Sequence, residues 1–351
     1  MEYSNYTAEA MALLGRLIAT PSVSRDESRA ADIMEEYMKG CGLHPKRIAN
    51  NVYSICSDYD DGRPTVLLNA HIDTVKPVST WTRDPFVPSV EGDRLYGLGS
   101  NDCGGGLVAL LQAYRVLTGR QRTFNLIYVA SAEEEVSGRD GICRVLPLLP
   151  HTDVAIVGEP TGMQPATAEK GLMVIDGTAH GRSGHAARNE GVNAIYEALD
   201  DLVWLRSHRF ERVSELLGPV KMSVTVINAG TQHNVVPDEC RFVIDVRTNE
   251  LYTNEEVFDI IRSNVKSEVK ARSFRLGSSG IDGNHPLVMR MKAMGMRPFG
   301  SPTLSDQALM PFPSFKLGPG DSARSHSADE YICESEVGAA IETYIKILTE
   351  E

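Results

Sequence analysis

The sequence has no apolar run approaching the roughly 18 to 20 residues that a helix needs to cross a bilayer, and no block of basic residues. The first absence predicts a chain without a membrane span. The second, with a formal net charge of -12, excludes the basic face required by nucleic acid or an anionic membrane surface, so small solutes are the expected partners. No secretory leader is expected either, because Met1 is followed by Glu2, Tyr3 and Asn5 rather than by a basic stretch and an apolar run. Cysteine is sparse and scattered. Cys41, Cys56, Cys103, Cys143, Cys240 and Cys333 form no C-x-x-C pair and no thiolate zinc spacing, so free thiols in a reducing, cytoplasmic compartment are expected. Internal repeats and low-complexity tracts are also absent.

What is present is an ordinary apolar content, 42% of 351 residues, with length for two domains. Apolar strands alternate with amphipathic helices, which predicts an α/β sheet covered on both faces. An opening helix is expected at about residues 8–19, with Leu13, Leu14, Leu17 and Ile18 on its buried side and Pro21 ending it. A second begins near Asp26 and carries Ala31, Met34, Tyr37 and Met38 on one stripe.

The middle of the chain reads differently. Alternating strands are predicted at about 172–181, 220–229 and 239–247, with helices near 191–207 and 253–270. Phe242, Ile244 and Val246 share one face of their strand, while Arg241, Asp245 and Arg247 share the other. This β-α-β-β-α pattern suits a ferredoxin-like α+β domain inserted into the first, spanning 171–284 between 1–170 and 285–351.

Polar groups cluster where four apolar strands end: "TVLLNA" runs into His71, "LIYVAS" into Glu133 to Glu135, "VAIVG" into Glu159, and "SFKLG" into "PGDSARSH" with His326. In an open parallel sheet these exits form the ligand crevice, so residues distant in sequence converge. In "NAHIDTV", His71 has metal-ligand character and Asp73 can accept the proton on its other ring nitrogen; a surface His and Asp at a strand end is the alternative. "GLGSNDCGGG" fails the G-x-G-x-x-G dinucleotide pattern because Asp102 stands in the third glycine's place, where its charge would repel a pyrophosphate. Flanking glycines allow close approach, so Asp102 suits a carboxylate bridging two metal ions, or else a helix cap. Three adjacent acids in "AEEEVSG" repel one another unless cations or protons compensate them. In the crevice one of them can bind metal while its neighbour takes a proton from water; a solvated acidic loop is the other reading.

These segments, together with "GEPT", "GHAARNEGVNAI" and "GPGDSARSHSADE", resemble the M20 metallopeptidase family in order and spacing, and within it the acetylornithine deacetylase and succinyl-diaminopimelate desuccinylase group. The resemblance implies a zinc-exopeptidase-like mixed sheet flanked by helices with an inserted ferredoxin-like lid or dimerisation domain. It implies two Zn2+, with Co2+ or Mn2+ as substitutes: His71 and Glu159 on one, Glu135 and His326 on the other, Asp102 bridging, Asp73 orienting His71, and Glu134 as general base. A non-proline cis peptide after Asp102 goes with it. His185 would be an oxyanion donor acting in a partner subunit, implying a homodimer, although the segment lacks a proline often found after that His. Arg247, Asn234 and the backbone at Gly318 resemble substrate-carboxylate contacts; an exposed, solvated Arg is the plainer reading of Arg247. Gly104 departs from the family, many members carrying lysine there. The implied substrate is a small N-acyl amino acid, N2-acetyl-L-ornithine or N2-succinyl-L-ornithine in arginine biosynthesis, with succinyl-diaminopimelate or a dipeptide as alternatives. A non-catalytic binding protein would be expected to have lost a ligand or the base, and this chain keeps all of them.

Overall fold

A computed structural model describes residues 3–188 and 190–349. Two helices open the chain, α1 (Ser4–Ile18) and α2 (Ser28–Gly40), followed by the strands β1 (Lys46–Ile48), β2 (Asn51–Ile55) and β3 (Thr65–His71). Next come β4 (Ser89–Glu91), β5 (Arg94–Tyr96), α3 (Gly105–Thr118), β6 (Asn125–Ser131), α4 (Ile142–Val145), β7 (Val154–Val157) and β8 (Ala166–Glu169). The middle segment runs β9 (Met173–His180), α5 (Ala194–Ser207), β10 (Lys221–Ala229), β11 (Glu239–Arg247), α6 (Asn254–Asn264) and β12 (Glu268–Ala271). The chain finishes with β13 (Ser279–Gly280), α7 (Pro286–Ala293), β14 (Phe299–Ser301), β15 (Ser314–Lys316), β16 (Tyr331–Cys333) and α8 (Glu334–Leu348).

The chain divides into two compact units, one of residues 1–167, 280–299 and 305–351, the other of residues 168–279 and 300–304. The first holds a mixed sheet in the order β1-β2-β6-β3-β7-β15-β8, in which β6, β3, β7 and β15 are mutually parallel. Strands buried on both faces carry apolar residues at every position rather than at alternate ones, and β3 and β6 are buried along their whole length. Alternation then sorts the two faces: Leu68, Ala70, Leu126, Tyr128 and Ala130 meet α1, α2, α3 and α8, while Leu67, Ile127 and Val129 meet Ile142 and Val145 of α4. Helix α3, apolar almost all round, is buried along nearly its whole length.

The opening helix starts four residues before the sequence-predicted position and stops at Ile18. In the second unit the strand order β10-β11-β9-β12 is antiparallel throughout, the split β-α-β arrangement of a ferredoxin-like sandwich. Phe242, Ile244 and Val246 are buried on one face, as their alternation requires. Its fourth strand is a correction, because the pattern predicts one helix over 253–270. Helix α6 ends at Asn264, whose Nδ2 donates to the Ile260 carbonyl, and Val269 and Ala271 then resume a period of two against β9.

Glycines near the first unit's strand exits are set by contact. A Cβ on Gly106, in the first turn of α3, would lie 1.7 Å from the Gly158 carbonyl, which directly precedes Glu159. Gly106→Ala is expected to cost about 3 kcal/mol, the upper end for overpacking, in chemical denaturation. Gly119→Ala, where the nearest atom to a Cβ is 3.5 Å away, should change stability by less than about 0.5 kcal/mol.

Candidate metal centre

The parallel strands β3, β6, β7 and β15 all deliver their carboxyl ends to one edge of the sheet, and the site is assembled there. His71 is the last residue of β3 and is 2% exposed. Its Nδ1 lies 2.8 Å from the Asp73 main-chain carbonyl, whereas the Asp73 carboxylate is 3.6 Å away. The carbonyl therefore fixes the proton on Nδ1 and turns the Nε2 lone pair inward. Around Nε2 stand Asp102 Oδ1 at 3.3 Å, Glu159 Oε1 at 3.7 Å and Glu134 Oε2 at 3.9 Å. On the far side of Asp102, His326 Nε2 is 3.5 Å from Oδ2 and 3.0 Å from Glu135 Oε2. His71, Asp102, Glu134, Glu135, Glu159 and His326 are thus brought together, with Asp102 between the two imidazoles.

Local structure explains each placement. The Asp102–Cys103 peptide is cis, within a single wide turn over Ser100–Gly104 that leads into α3. Glu330, 2% exposed, accepts the amides of Gly99 (3.2 Å), Asn101 (2.8 Å) and Asp102 (2.9 Å), clamping that turn from below. Glu134 and Glu135 open a 3-10 turn after β6, and the Asp73 carboxylate accepts both of their amides at 3.0 and 3.2 Å. Asp73 thus reaches the site through this turn, and its carbonyl is what meets the imidazole. Gly318 donates its N–H to Thr161 Oγ1 at 3.1 Å, and a Cβ on it would sit 2.4 Å from the Glu159 carbonyl, so it packs the β15 exit against Glu159.

Three predicted residues lie in the second unit. His185 and Asn234 are exposed neighbours, tied through an Ala186 N–H to Asn234 carbonyl bond of 3.0 Å. His185 Nδ1 accepts the Ala187 N–H at 3.1 Å, which leaves the ring proton on Nε2 as an outward donor. Arg247 is engaged by Asp245 through two bonds of 2.9 and 3.1 Å, so only part of its guanidinium is open to a ligand.

The electrostatics ask for cations. Burial pushes Glu159 up to about 8, helped by the Asp102 charge, and lifts Glu134 well above the usual carboxylate range. For Asp102 burial works in the same direction, but His71, Ser325 and His326 outweigh it and hold the carboxyl below its ordinary value. The bond to Glu135 raises His326 to about 9. Glu159 Oε1 is buried with no hydrogen-bond partner, and an inward imidazole lone pair facing carboxylate oxygens is repulsive without a proton or a metal ion between them. His71, Asp102 and Glu135 offer ligand atoms within 4.8 Å of one another, as do His71, Cys103 and Glu159. The donor set therefore fits metal.

The sequence reading gave no role to Glu330, Cys103 or Ser131, and it placed Asp306 near the expected site without a task. Cys103 Sγ accepts the His71 N–H at 3.2 Å, and Ser131 donates to the buried Asp306 at 2.6 Å. Only Cys103 had a visible signal, lying beside Asp102; the others owe their importance to burial, which sequence spacing does not report.

An acidic pocket at the carboxyl ends of parallel strands, with imidazoles on either side of a central carboxylate, defines the metal-dependent hydrolase class. A sequence profile described as Peptidase family M20/M25/M40 matches residues 67–350, and the chain belongs to that family. Relatives include an acetylornithine deacetylase of Proteus mirabilis, 28% identical with 91% of each chain covered. Another, from Pectobacterium atrosepticum, is 29% identical over 90% of this chain and 91% of its own. Among solved structures, aminopeptidase PepT from Bacillus cereus superposes with a TM-score of 0.79 at 17% identity, covering 97% of this chain and 98% of its own. The Bacillus subtilis YXEP protein, described as a dinuclear metal binding peptidase, gives 0.77 at 17% identity with 98% of both chains covered. Among the described residues no helix is long and apolar enough to cross a membrane.

The raised carboxyls set a pH dependence for the metal-free protein. Glu159, Glu134 and Glu330 (about 7) bind protons in the folded state at a pH where the unfolded chain has lost them, and His326 does the same up to about 9. Stability must therefore fall as pH rises through this window. Melting temperatures in chelator should decrease from pH 5 to pH 9, and adding divalent metal should flatten the curve; a rising curve in chelator would contradict these shifts.

Proposed function

We propose that the protein is a two-zinc amidohydrolase that cleaves the amide of an N-acyl amino acid, N2-acetyl-L-ornithine or N2-succinyl-L-ornithine, as a step of arginine biosynthesis in the cytoplasm. The observation that carries this reading is the position of Asp102 between His71 and His326, with Glu159 and Glu135 beside them and Glu134 left over as a free base. His71 and Glu159 would hold one ion, Glu135 and His326 the other, and Asp102 both. When bound, the pair lowers the pKa of water and polarises the acyl carbonyl. Glu134 accepts a proton from water as its oxygen adds to the acyl carbon, and delivers it to the α-nitrogen as the C–N bond breaks. The resemblance to named acetylornithine deacetylases over nine-tenths of the chain supports the choice of substrate.

The second unit would form a homodimer. Strand β10 is a sheet edge with Val226 and Ile227 exposed, and α5 presents Tyr196, Leu199 and Val203 to solvent at helical spacing, 69%, 48% and 55% exposed. Such an edge with an adjoining apolar stripe suits a second copy related by a twofold axis. In that dimer His185 would donate its Nε2 proton to the developing oxyanion of the partner's substrate, with Asn234 and Arg247 receiving the substrate carboxylate.

Purified zinc-loaded enzyme should release free amine from acetyl- or succinyl-ornithine faster than from the diaminopimelate derivatives or dipeptides; equal rates on dipeptides would overturn the assignment. Glu134→Gln should lower kcat by about 1,000-fold or more while zinc content stays at the wild-type value, since only the base is removed. Zinc loss would instead make Glu134 a ligand. Mixing inactive His185→Ala and Glu134→Gln proteins should restore part of the activity through hybrid dimers, and no recovery would place His185 in the service of its own chain.

A further inference from the structure

The turn that carries Glu134 and Glu135 is gripped by the N-terminal segment. Its three successive amides each reach a carboxylate oxygen: Glu133 N–H donates to Glu27 Oε1 at 3.1 Å, Glu134 N–H to Asp73 Oδ1 at 3.0 Å and Glu135 N–H to Asp73 Oδ2 at 3.2 Å. Ser24 Oγ donates to that same Asp73 Oδ2 at 2.7 Å. Ser24 is itself fixed by main-chain bonds, its N–H to the Thr74 carbonyl and the Thr74 N–H to the Ser22 carbonyl. Glu27 stands just ahead of α2 and is fully buried, at 0% exposure. A buried carboxylate is costly to desolvate, so one aimed at a main-chain amide of a functional turn requires a reason.

The turn supplies that reason. Glu133 has φ 54° and Ser137 φ 44°, both in the left-handed region that non-glycine residues occupy at a cost, so the conformation persists only where surrounding contacts over-determine it. Gly138 donates back to the Glu133 carbonyl at 2.8 Å, and a Cβ on Gly138 would strike the Glu133 carboxylate at 1.7 Å, so the loop closes tightly behind the grip. Ser24 and Glu27 precede the segment 67–350 that matches the family, so nothing in that match assigns them a task.

We propose that Glu27, assisted by Ser24 through Asp73, is a positioning residue that sets where the Glu134 carboxylate stands. The inference rests on Glu134 being the base. Glu27 neither reaches the reacting atoms nor holds metal; it orients the Ala132–Glu133 peptide plane, one residue ahead of the Glu133–Glu134 plane whose amide Asp73 holds. A base displaced by about 1 Å loses on the order of 100-fold in rate, so the grip is worth that much to turnover. What the geometry asks of Glu27 is an acceptor oxygen rather than a charge. Glutamine keeps that oxygen in the same place, and methionine keeps the bulk without it.

The test compares full-length, metal-loaded wild type with Glu27→Gln and Glu27→Met by steady-state kinetics, metal analysis and amide hydrogen exchange of the peptide spanning Ala132–Gly138. Glu27→Gln should keep kcat within about threefold. Glu27→Met should lose about 100-fold in kcat, with KM within about twofold and metal content unchanged, and should speed exchange in that peptide alone. Equal kcat and equal exchange in the two variants would overturn the proposal, and so would a parallel fall in both with exchange raised across the whole chain. Should Glu27→Met not fold, Ser24→Ala against Ser24→Thr makes the same comparison from the Asp73 side. If wild type hydrolyses no N-acyl amino acid, the proposed function fails separately, and the exchange comparison alone decides whether Glu27 holds the turn.

Discussion

The first unit is organised around a concentration of negative charge that it cannot leave uncompensated. Asp102, Glu134, Glu135 and Glu159 crowd two imidazoles at the mouth of one sheet, and Asp73, Glu330, Asp306 and Glu27 stand buried behind them. Water would screen such a cluster; the interior does not. The back row is met by hydrogen-bond donors instead: three amides on Glu330, two amides and a hydroxyl on Asp73, a hydroxyl on Asp306, and one amide on Glu27, whose Oε2 is buried without a partner. The front row has fewer donors, and Glu159 Oε1 has none among the described residues. Glu330, Asp73 and Glu27 accept main-chain amides and so hold the backbone, which divides them from the acids of the front row.

The same division clarifies how the loops are kept rigid. The turns at Ser100–Gly104 and Glu134–Val136 lie outside the regular helices and strands, yet both must fix carboxylates to within a fraction of an ångström. A carboxylate beneath a turn does this well because its oxygens accept several converging N–H groups, as a helix cap does on a smaller scale. Glu330 comes from the far end of the sequence and Glu27 from its start, so both chain ends contribute to holding loops that lie between them. The first turn of α3 and the residue just after β7 add a steric limit, since Gly106 and Gly158 meet too closely for any side chain.

In the second unit a different requirement governs. Its sandwich buries Phe242, Ile244 and Val246 under α5 and α6, yet it leaves apolar side chains on the outward surface of α5 and an unpaired edge along β10. Solitary exposed apolar residues are ordinary; a spaced stripe beside an open strand is not. His185, with its Nδ1 occupied and its Nε2 proton directed outward, belongs to this same unit.

Much of this was legible in the residues alone. Period-two alternation in "CRFVIDVR", continuous apolar runs in β3 and β6, and polar groups at four strand exits follow from local chemistry and spacing, and they bring His71, Glu133 to Glu135, Glu159 and His326 to one crevice, while the resemblance to the M20 family singled out Asp102, Glu134 and Glu135. Strand β12 was hidden because its period-two signal lasts only four residues after a helix. Tertiary structure alone decided that the Asp73 carbonyl rather than its carboxylate meets His71, that Arg247 is shared with Asp245, and that Glu27 and Glu330 lie beneath the metal loops. The reason is physical: pattern and spacing specify which side chain leaves which strand, whereas which atom of a neighbour two residues away meets a side chain depends on the folded backbone, and the partners of Ser24, Glu27 and Glu330 come from segments 49 to 231 residues away that meet only in space.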